Sequence, residues 1–355
     1  MPSPTSTLTL RALDLADAAD EELFRRAHDA VRVPADVALL GDRSAPWSAD
    51  EHLAEARFET SWDTTLGVTL DGDRPVGVWG VFLPLADNRT VAYLENVVTP
   101  GERRRGIGRR QLAVVTERAR AAGRTVLQTF EGSPADPGAP DPCAAFARAH
   151  GFVPTLPALR NDLDLDSPGA LDRALAALDA EVAGADLADY RLVTWWDRCP
   201  DEHLADRALL RQRMSTDAPQ GDMVLEEEVW DGDRVRELER VAAEAGSTTV
   251  ETCALHVPSG RLVAFTVLQV ARARPQHADQ EDTLVLREHR GHRLGMWVKA
   301  ANLRALAERV DVRRVTTHNA ASNAPMLRVN EAMGFRPVLR TSCWTKHLDT
   351  TGADA

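Results

Sequence analysis

The residues Arg103-Arg104-Arg105-Gly106-Ile107-Gly108-Arg109 follow an apolar run that ends at Val98, and they precede a helical pattern. Glycines let main-chain N–H groups crowd around an anion at a helix start, where the helix dipole adds a favourable field. Arginines bring charge and paired donors to phosphate oxygens. Such a loop suits a pyrophosphate. A second stretch, Arg290-Gly291-His292-Arg293-Leu294-Gly295, has the same outline. It carries Arg293 where the first has Gly106, so its backbone is expected to approach an anion less closely. Neither stretch is a Walker A loop, because Arg109-Arg110 stands where Lys-Ser/Thr is needed. Neither is a Rossmann fingerprint, which needs a third glycine and an acidic residue about 20 positions later.

Glu95 and Asp282 each lie eight residues before the first arginine of a loop, inside otherwise apolar strands. A carboxylate there requires a partner or a purpose. One purpose is removing a proton from an amine, since an alkyl amine with a pKa near ~10 is mostly protonated at pH 7. His289 and His292 form an HxxH pair with arginines around it and no third ligand nearby, which reads as a loop or phosphate-edge role and not a metal site. Glu226-Glu227-Glu228 reads as a solvated helix start. Cys143, Cys199, Cys253 and Cys343 are far apart with no CxxC, so neither a disulfide framework nor a zinc site is indicated. Trp195 and Trp196 end a strand, one facing the core and one available to a cleft.

The elements that must position these residues occur twice. Gly108 recurs as Gly295, Arg103 as Arg290 and Arg74 as Arg261, always 187 residues apart, and Gly151-Phe152 recurs as Gly334-Phe335 at 183. Two copies of one fold are implied. In the first copy, alternation predicts strands over Ser6–Ala12, Thr64–Leu70, Val76–Leu83, Val91–Val98, Thr125–Phe130 and Ala158–Leu165. Helical spacing covers Asp20–Val31, Ala49–Phe58, Gly106–Ala122 and Cys143–His150. The second copy repeats the order, with a strand at Tyr190–Trp195, helices over Glu202–Met214 and Val235–Glu244, and a hairpin of Glu251–His256 with Leu262–Val270. A strand at Asp282–Leu286, a helix after Gly295 and a strand at Val315–His318 complete it. Leu171–Val182 is helical and reads as the linker. Pro34–Asp50 and Ser215–Asp231 read as loops that build an acceptor pocket.

Length and charge bound the function. At 355 residues the chain exceeds the ~250–300 at which one core stops growing. A net charge of −12 argues against a nucleic-acid or anionic-membrane partner. The apolar stretch Val76–Ala86 is about half of the ~20 residues a spanning helix needs. The first residues show no basic region followed by an apolar one, so a cytoplasmic location is expected.

The Arg-x-x-Gly-x-Gly pattern, set between strand and helix and repeated, resembles the acetyl-CoA loop of the GNAT N-acetyltransferase superfamily, from about residue 6 to 348. The resemblance implies an α/β fold with a mixed sheet, as two tandem GNAT-like acyl-CoA N-acyltransferase domains. These would be 1–168 and 187–355, joined by a helical linker at 169–186. It implies acetyl-CoA as co-substrate and no metal. Arg103–Arg109 and Arg290–Gly295 would hold the pyrophosphate. The backbone of Val97 and Val98, or of Leu284 and Val285, would hold the pantetheine arm where a bulged strand splays from its neighbour. Asn323 would bond the arm as well, whereas the first copy has Pro140-Asp141-Pro142 in that region. The family's frequent general acid, a tyrosine four residues before Gly-Phe, is replaced by Ala147 and Asn330. The implied function is acetyl transfer to a primary amine on a small molecule, made directly with Glu95 or Asp282 as base, by a monomer or homodimer. The alternative is an acyl-CoA-binding scaffold in which one or both sites have decayed.

Overall fold

The structure, a computed structural model, describes residues 8–136 and 138–349. The first sequence copy contributes β1 (Leu8–Ala12), α1 (Ala18–Ala27), α2 (Val33–Leu40), α3 (Ala49–Phe58), β2 (Trp62–Asp71), β3 (Arg74–Pro84), β4 (Val91–Val98), α4 (Ile107–Ala121), β5 (Val126–Ser133), α5 (Pro142–Ala149) and β6 (Val153–Asp164). After α6 (Ala170–Val182), the second contributes β7 (Tyr190–Trp196), α7 (Leu204–Asp217), α8 (Gly232–Glu244), β8 (Ser247–His256), β9 (Arg261–Ala271), β10 (His277–Val285), α9 (Leu294–Ala307), β11 (Arg314–Ala320), α10 (Ala324–Met333) and β12 (Arg336–His347). The expected first strand begins at Ser6, and its first two residues lie outside the described ones.

Local chemistry explains most boundaries. Ser48 and Glu51 form a reciprocal capping box that starts α3. Asp17, Asp141, Asp231 and Asn323 cap α1, α5, α8 and α10 with their side chains. The segment after Pro34, expected as loop, is helical in α2, because proline is well accommodated in a first turn. The expected helix to Val31 changes to a π turn over His28–Arg32.

The chain forms two compact units. Unit 1 runs to Thr155 and takes in Asp222–Val224 and the chain from Ser342 on. Its strands run in the order β1-β2-β3-β4-β5, followed by the end of β12. The first four are antiparallel and β4 is parallel to β5. Unit 2 covers Leu156–Gly221 and Leu225–Thr341, with strand order β6-β11-β10-β9-β8-β7.

The closing strands are therefore exchanged between the copies. From Ala158 on, β6 pairs antiparallel with β11 and sends Leu163 into a core with Leu303, Val315 and Phe335. The end of β12 instead places Trp344 beside Trp79, Leu112 and Phe152 in the core of unit 1. There Thr155 Oγ1 and Thr345 Oγ1 lie 2.8 Å apart. Residues 156–186 thus pack with unit 2 and residues 342–349 with unit 1, a division that differs from boundaries at 168 and 187. Sequence repetition marks matching segments, whereas strand pairing decides which core each one fills. α6 is likewise part of unit 2, with Leu178 fully buried and Asp179 paired to Arg304.

Because Trp344 is only 2% exposed in that core, Trp344→Ala is expected to cost about 3–5 kcal/mol of stability. Urea unfolding would check it. A loss under about 1 kcal/mol would show that the chain end is not part of the unit 1 core.

Candidate functional site

The two glycine–arginine loops share one backbone conformation with the residue types exchanged. In unit 1, Arg104 and Gly106 have φ of 69° and 79°; in unit 2, Gly291 and Arg293 have φ of 93° and 58°. Each unit thus holds one arginine in the left-handed region, at an expense of about 1–2 kcal/mol. Arg293 does not change the path of its loop. α4 starts at Gly106 and α9 at Arg293 with no side-chain cap. The first bonds of these helices run from Arg110 N–H to the Gly106 carbonyl and from Trp297 N–H to the Arg293 carbonyl. The preceding N–H groups, of Ile107, Gly108 and Arg109 and of Leu294, Gly295 and Met296, are left for another acceptor. A Cβ at Gly108 would lie 3.3 Å from the Phe146 ring, a tight contact that asks the ring to give by a few tenths of an ångström, whereas one at Gly295 meets only ordinary contact.

The loop side chains are engaged differently. Arg105 pairs with Glu102 and, at 3.0 Å, with Asp71. Arg103 Nε donates to the Val98 carbonyl at 3.4 Å. Arg104, Arg109 and Arg110 pair with no carboxylate among the described residues, leaving charge available at α4. In unit 2, Arg287 and Arg290 both pair with Asp217, and Arg293 donates to the carbonyl and carboxylate of Glu181. His292 Nδ1 lies 3.3 Å from the Asp186 carbonyl. The positive charge of this loop is largely neutralised.

The strands before the loops carry an unpaired edge. β4 pairs with β5 only from Val91 to Tyr93, and β10 pairs with β11 only from His277 to Gln280. Beyond those points the parallel neighbours separate, while β4 and β10 stay paired to β3 and β9 on their other sides. Thr99 N–H donates to Val76 and Leu286 N–H to Val263. Antiparallel alternation then directs the main chain of Val97 and Leu284 into those ladders, and that of Asn96, Val98, Thr283 and Val285 into the gaps. So of the four valine and leucine residues expected to bind an extended arm, Val98 and Val285 face the gap, and Val97 and Leu284 do not.

Only one of the two strands is bulged. The β10 register shifts between Gln280 and Thr283, while β4 runs against β3 without a shift. The Gln280 amide holds the bulge by donating to the Val267 carbonyl at 2.6 Å, to Thr266 Oγ1 at 3.0 Å and to the Glu281 carbonyl at 3.3 Å. Its counterpart at the 187-residue spacing is Tyr93, which cannot donate in this way. A bulge frees main-chain groups from the ladder and re-aims side chains.

Glu95 and Asp282 are both ion-paired, to Arg32 and Arg211 respectively. These arginines come from corresponding helical segments, and no spacing in the sequence connects them to the strands. Burial lowers Arg211 to about 10, and its guanidinium also covers the Trp230 ring at 5.0 Å, which brings the segment before α8 to this site. Three other carboxyls have the environment of a base. Burial raises Glu55 to about 7, with Glu59 and Glu95 adding to it. Burial likewise raises Glu131, at the separated end of β5, to about 7. Glu281 stands at the bulge as an exposed residue, and the protein around its carboxyl and then Asp279 push it up to about 7. The glutamate type and strand position of Glu281 were visible beside Asp282; the bulge that distinguishes the two was not.

The remaining candidates have structural partners. Asn323 Oδ1 accepts from Met326 N–H as the cap of α10. His289 and His292 lie among aromatic rings, with the Tyr190 hydroxyl 3.0 Å from His289 Nδ1. Among the described residues no group of three or more His, Cys, Asp or Glu could hold a metal ion. Burial pushes the Cys143 thiol up to about 11, away from nucleophilic use. No described helix is long and apolar enough to cross a membrane.

The sequence matches the Acetyltransferase (GNAT) family over residues 36–152. No curated protein matches it. Among solved structures, a tandem GNAT protein from the clavulanic acid biosynthesis pathway, in a structure without acetyl-CoA, is 30% identical, with a TM-score of 0.78 over 98% of this chain and 100% of that one. A GCN5-related N-acetyltransferase from Sphaerobacter thermophilus is 16% identical, with a TM-score of 0.59 over 97% of this chain and 96% of that one, a likeness of fold. Together with the repeated strand–loop–helix units, these similarities show that the chain belongs to the GNAT acetyltransferase family, as a tandem member with two copies of the fold.

Proposed function

We propose that this chain is an acetyl-CoA-dependent N-acetyltransferase that moves an acetyl group directly to a primary amine on a small molecule, with unit 2 carrying the chemistry. One observation supports the reading above others. In each unit a strand ladder stops just before an uncapped helix N-terminus. An open strand edge accepts an amide-bearing arm, and an uncapped helix start accepts a diphosphate. Acetyl-CoA has both parts and supplies the activated acyl group.

In unit 1 the free N–H groups of Ile107, Gly108 and Arg109, with the charges of Arg104, Arg109 and Arg110, would hold the phosphates. The main chain of Asn96 and the N–H of Val98 would offer partners to the arm, the Val98 carbonyl accepting from Arg103 Nε. In unit 2 the main chain of Thr283 and Val285 would do so, and the bulge would aim an N–H at the carbonyl oxygen, stabilising charge that develops there. Glu281, poised near neutrality, would take the proton of the amine. Glu95 and Asp282, committed to Arg32 and Arg211, would shape the acceptor side. A cationic acceptor suits the carboxylates on these strands, and a monomer or homodimer in the cytoplasm is the setting proposed. A second reading, binding without turnover, is favoured by the neutralised loop of unit 2.

Gly106→Val places a β-branched residue at φ 79° and is expected to weaken acetyl-CoA binding about tenfold or more, read by calorimetry. No heat from the native protein with acetyl-CoA would end the reading. Release of CoA thiol across a panel of primary amines separates turnover from binding alone. The rate should rise as pH increases through about 7, because only the ionised form of Glu281 can accept a proton. Glu281→Gln should lower the rate about 100-fold and remove that rise. A variant with the native pH profile would remove Glu281 from the role of base.

A further inference from the structure

Lys299 lies on α9 at 2% exposure, buried in unit 2, and pairs with no carboxylate among the described residues. Desolvation lowers it to about 7. Its Nζ donates to Asn330 Oδ1 at 3.2 Å, and Asn330 Nδ2 donates to Asn319 Oδ1 at 2.6 Å. Asn319 lies on β11, two residues past Thr317, the last one paired with β10. The chain of bonds therefore runs from buried Lys299 to half-buried Asn319, which stands on β11 past the point where pairing with β10 stops.

The direction of this chain follows from donor inventory. The bond from Lys299 Nζ–H to Asn330 Oδ1 sets the Asn330 oxygen toward Lys299 and its nitrogen toward Asn319. That nitrogen in turn fixes the Asn319 oxygen, leaving the Asn319 amide nitrogen turned outward. Each bond polarises the next. Unit 1 has none of these groups: Leu112 and Ala147 stand at the repeat spacings from Lys299 and Asn330 and pack in an apolar core, and Phe130 is the residue two past the last β4–β5 pair as Asn319 is past the last β10–β11 pair. Burying a lysine where leucine would pack lowers stability, so the polar set in unit 2 is not explained by packing.

We infer that Asn319, oriented by Asn330 and Lys299, donates a hydrogen bond to the thiolate that leaves when unit 2 transfers an acyl group. The inference rests on the function proposed above. As the amine nitrogen bonds to the acyl carbon and the carbon–sulfur bond breaks, the electron pair remains on sulfur. The proton lost by the amine goes to the base, and Asn319 N–H stabilises the sulfur anion until solvent protonates it. Asn319 is then a catalytic residue, and Asn330 and Lys299 are positioning residues.

The test installs the unit 1 pair in unit 2, as the double variant Lys299→Leu/Asn330→Ala, beside Asn319→Leu. The probe is CoA itself, with its thiol titrated by ultraviolet thiolate absorbance in the bound state. The double variant is expected to fold, to bind CoA within about threefold of native, and to ionise the bound thiol at a pH higher by about one unit, a tenfold change in the equilibrium. With an amine that turns over, kcat should fall about tenfold while KM for acetyl-CoA holds. Native stability should rise between about pH 7 and the ordinary lysine pKa of about 10.5, since only the unfolded chain keeps the proton there, and the variant should lose this rise. Variants that bind CoA with the native thiol titration would overturn the inference. A native protein that binds no CoA would instead overturn the function itself.

Discussion

The early end of two parallel strand ladders is the constraint on which the rest of the site depends. A β-strand inside a sheet satisfies its main chain on both sides, so a strand satisfied on one side only must be completed by water or by a ligand. β4 and β10 have that condition over their last residues. The loops that follow carry the same pair of positive φ values, and both end at a helix whose first N–H groups lack a cap. An extended polar arm and an anion are thus accommodated by adjacent parts of the same chain.

The two units use this frame differently. Unit 1 has the freer arginines and a strand without a bulge; unit 2 has the bulge, pinned by Gln280, and loop arginines tied to acids. Duplication permits this division, because each copy can lose what the other retains. The arginine and glycine exchange between Arg104–Gly106 and Gly291–Arg293 illustrates it: the left-handed positions are the same, and the strained arginine has moved by two residues. The exchange of closing strands makes the copies dependent on each other in folding, since Trp344 completes one core and Leu163 the other.

Charge placement follows the same logic. Arg32 and Arg211 neutralise Glu95 and Asp282, so the carboxylates that looked isolated in apolar strands have partners. Glu55, Glu131 and Glu281 keep a raised proton affinity, with desolvation as the main cause in each. A buried lysine without a carboxylate is the other unusual group, and it too lies in line with a strand gap.

Much of this was readable in the residues alone. Alternation and helical spacing locate most strands and helices, though α2 reads as loop and β12 goes unread, and the repeat of Arg-x-x-Gly-x-Gly marks both loops, because these depend on local sterics and on periodicity. The partners of Glu95 and Asp282 are 63 and 71 residues away along the chain, and no local pattern encodes such a contact. Register decides that Val98 and not Val97 faces the gap, and a one-residue bulge separates Glu281 from its repeat counterpart; both are properties of paired strands. The closing strands show the limit most clearly, since a strand is specified by its own residues, whereas the sheet it joins is specified by the free edge it meets.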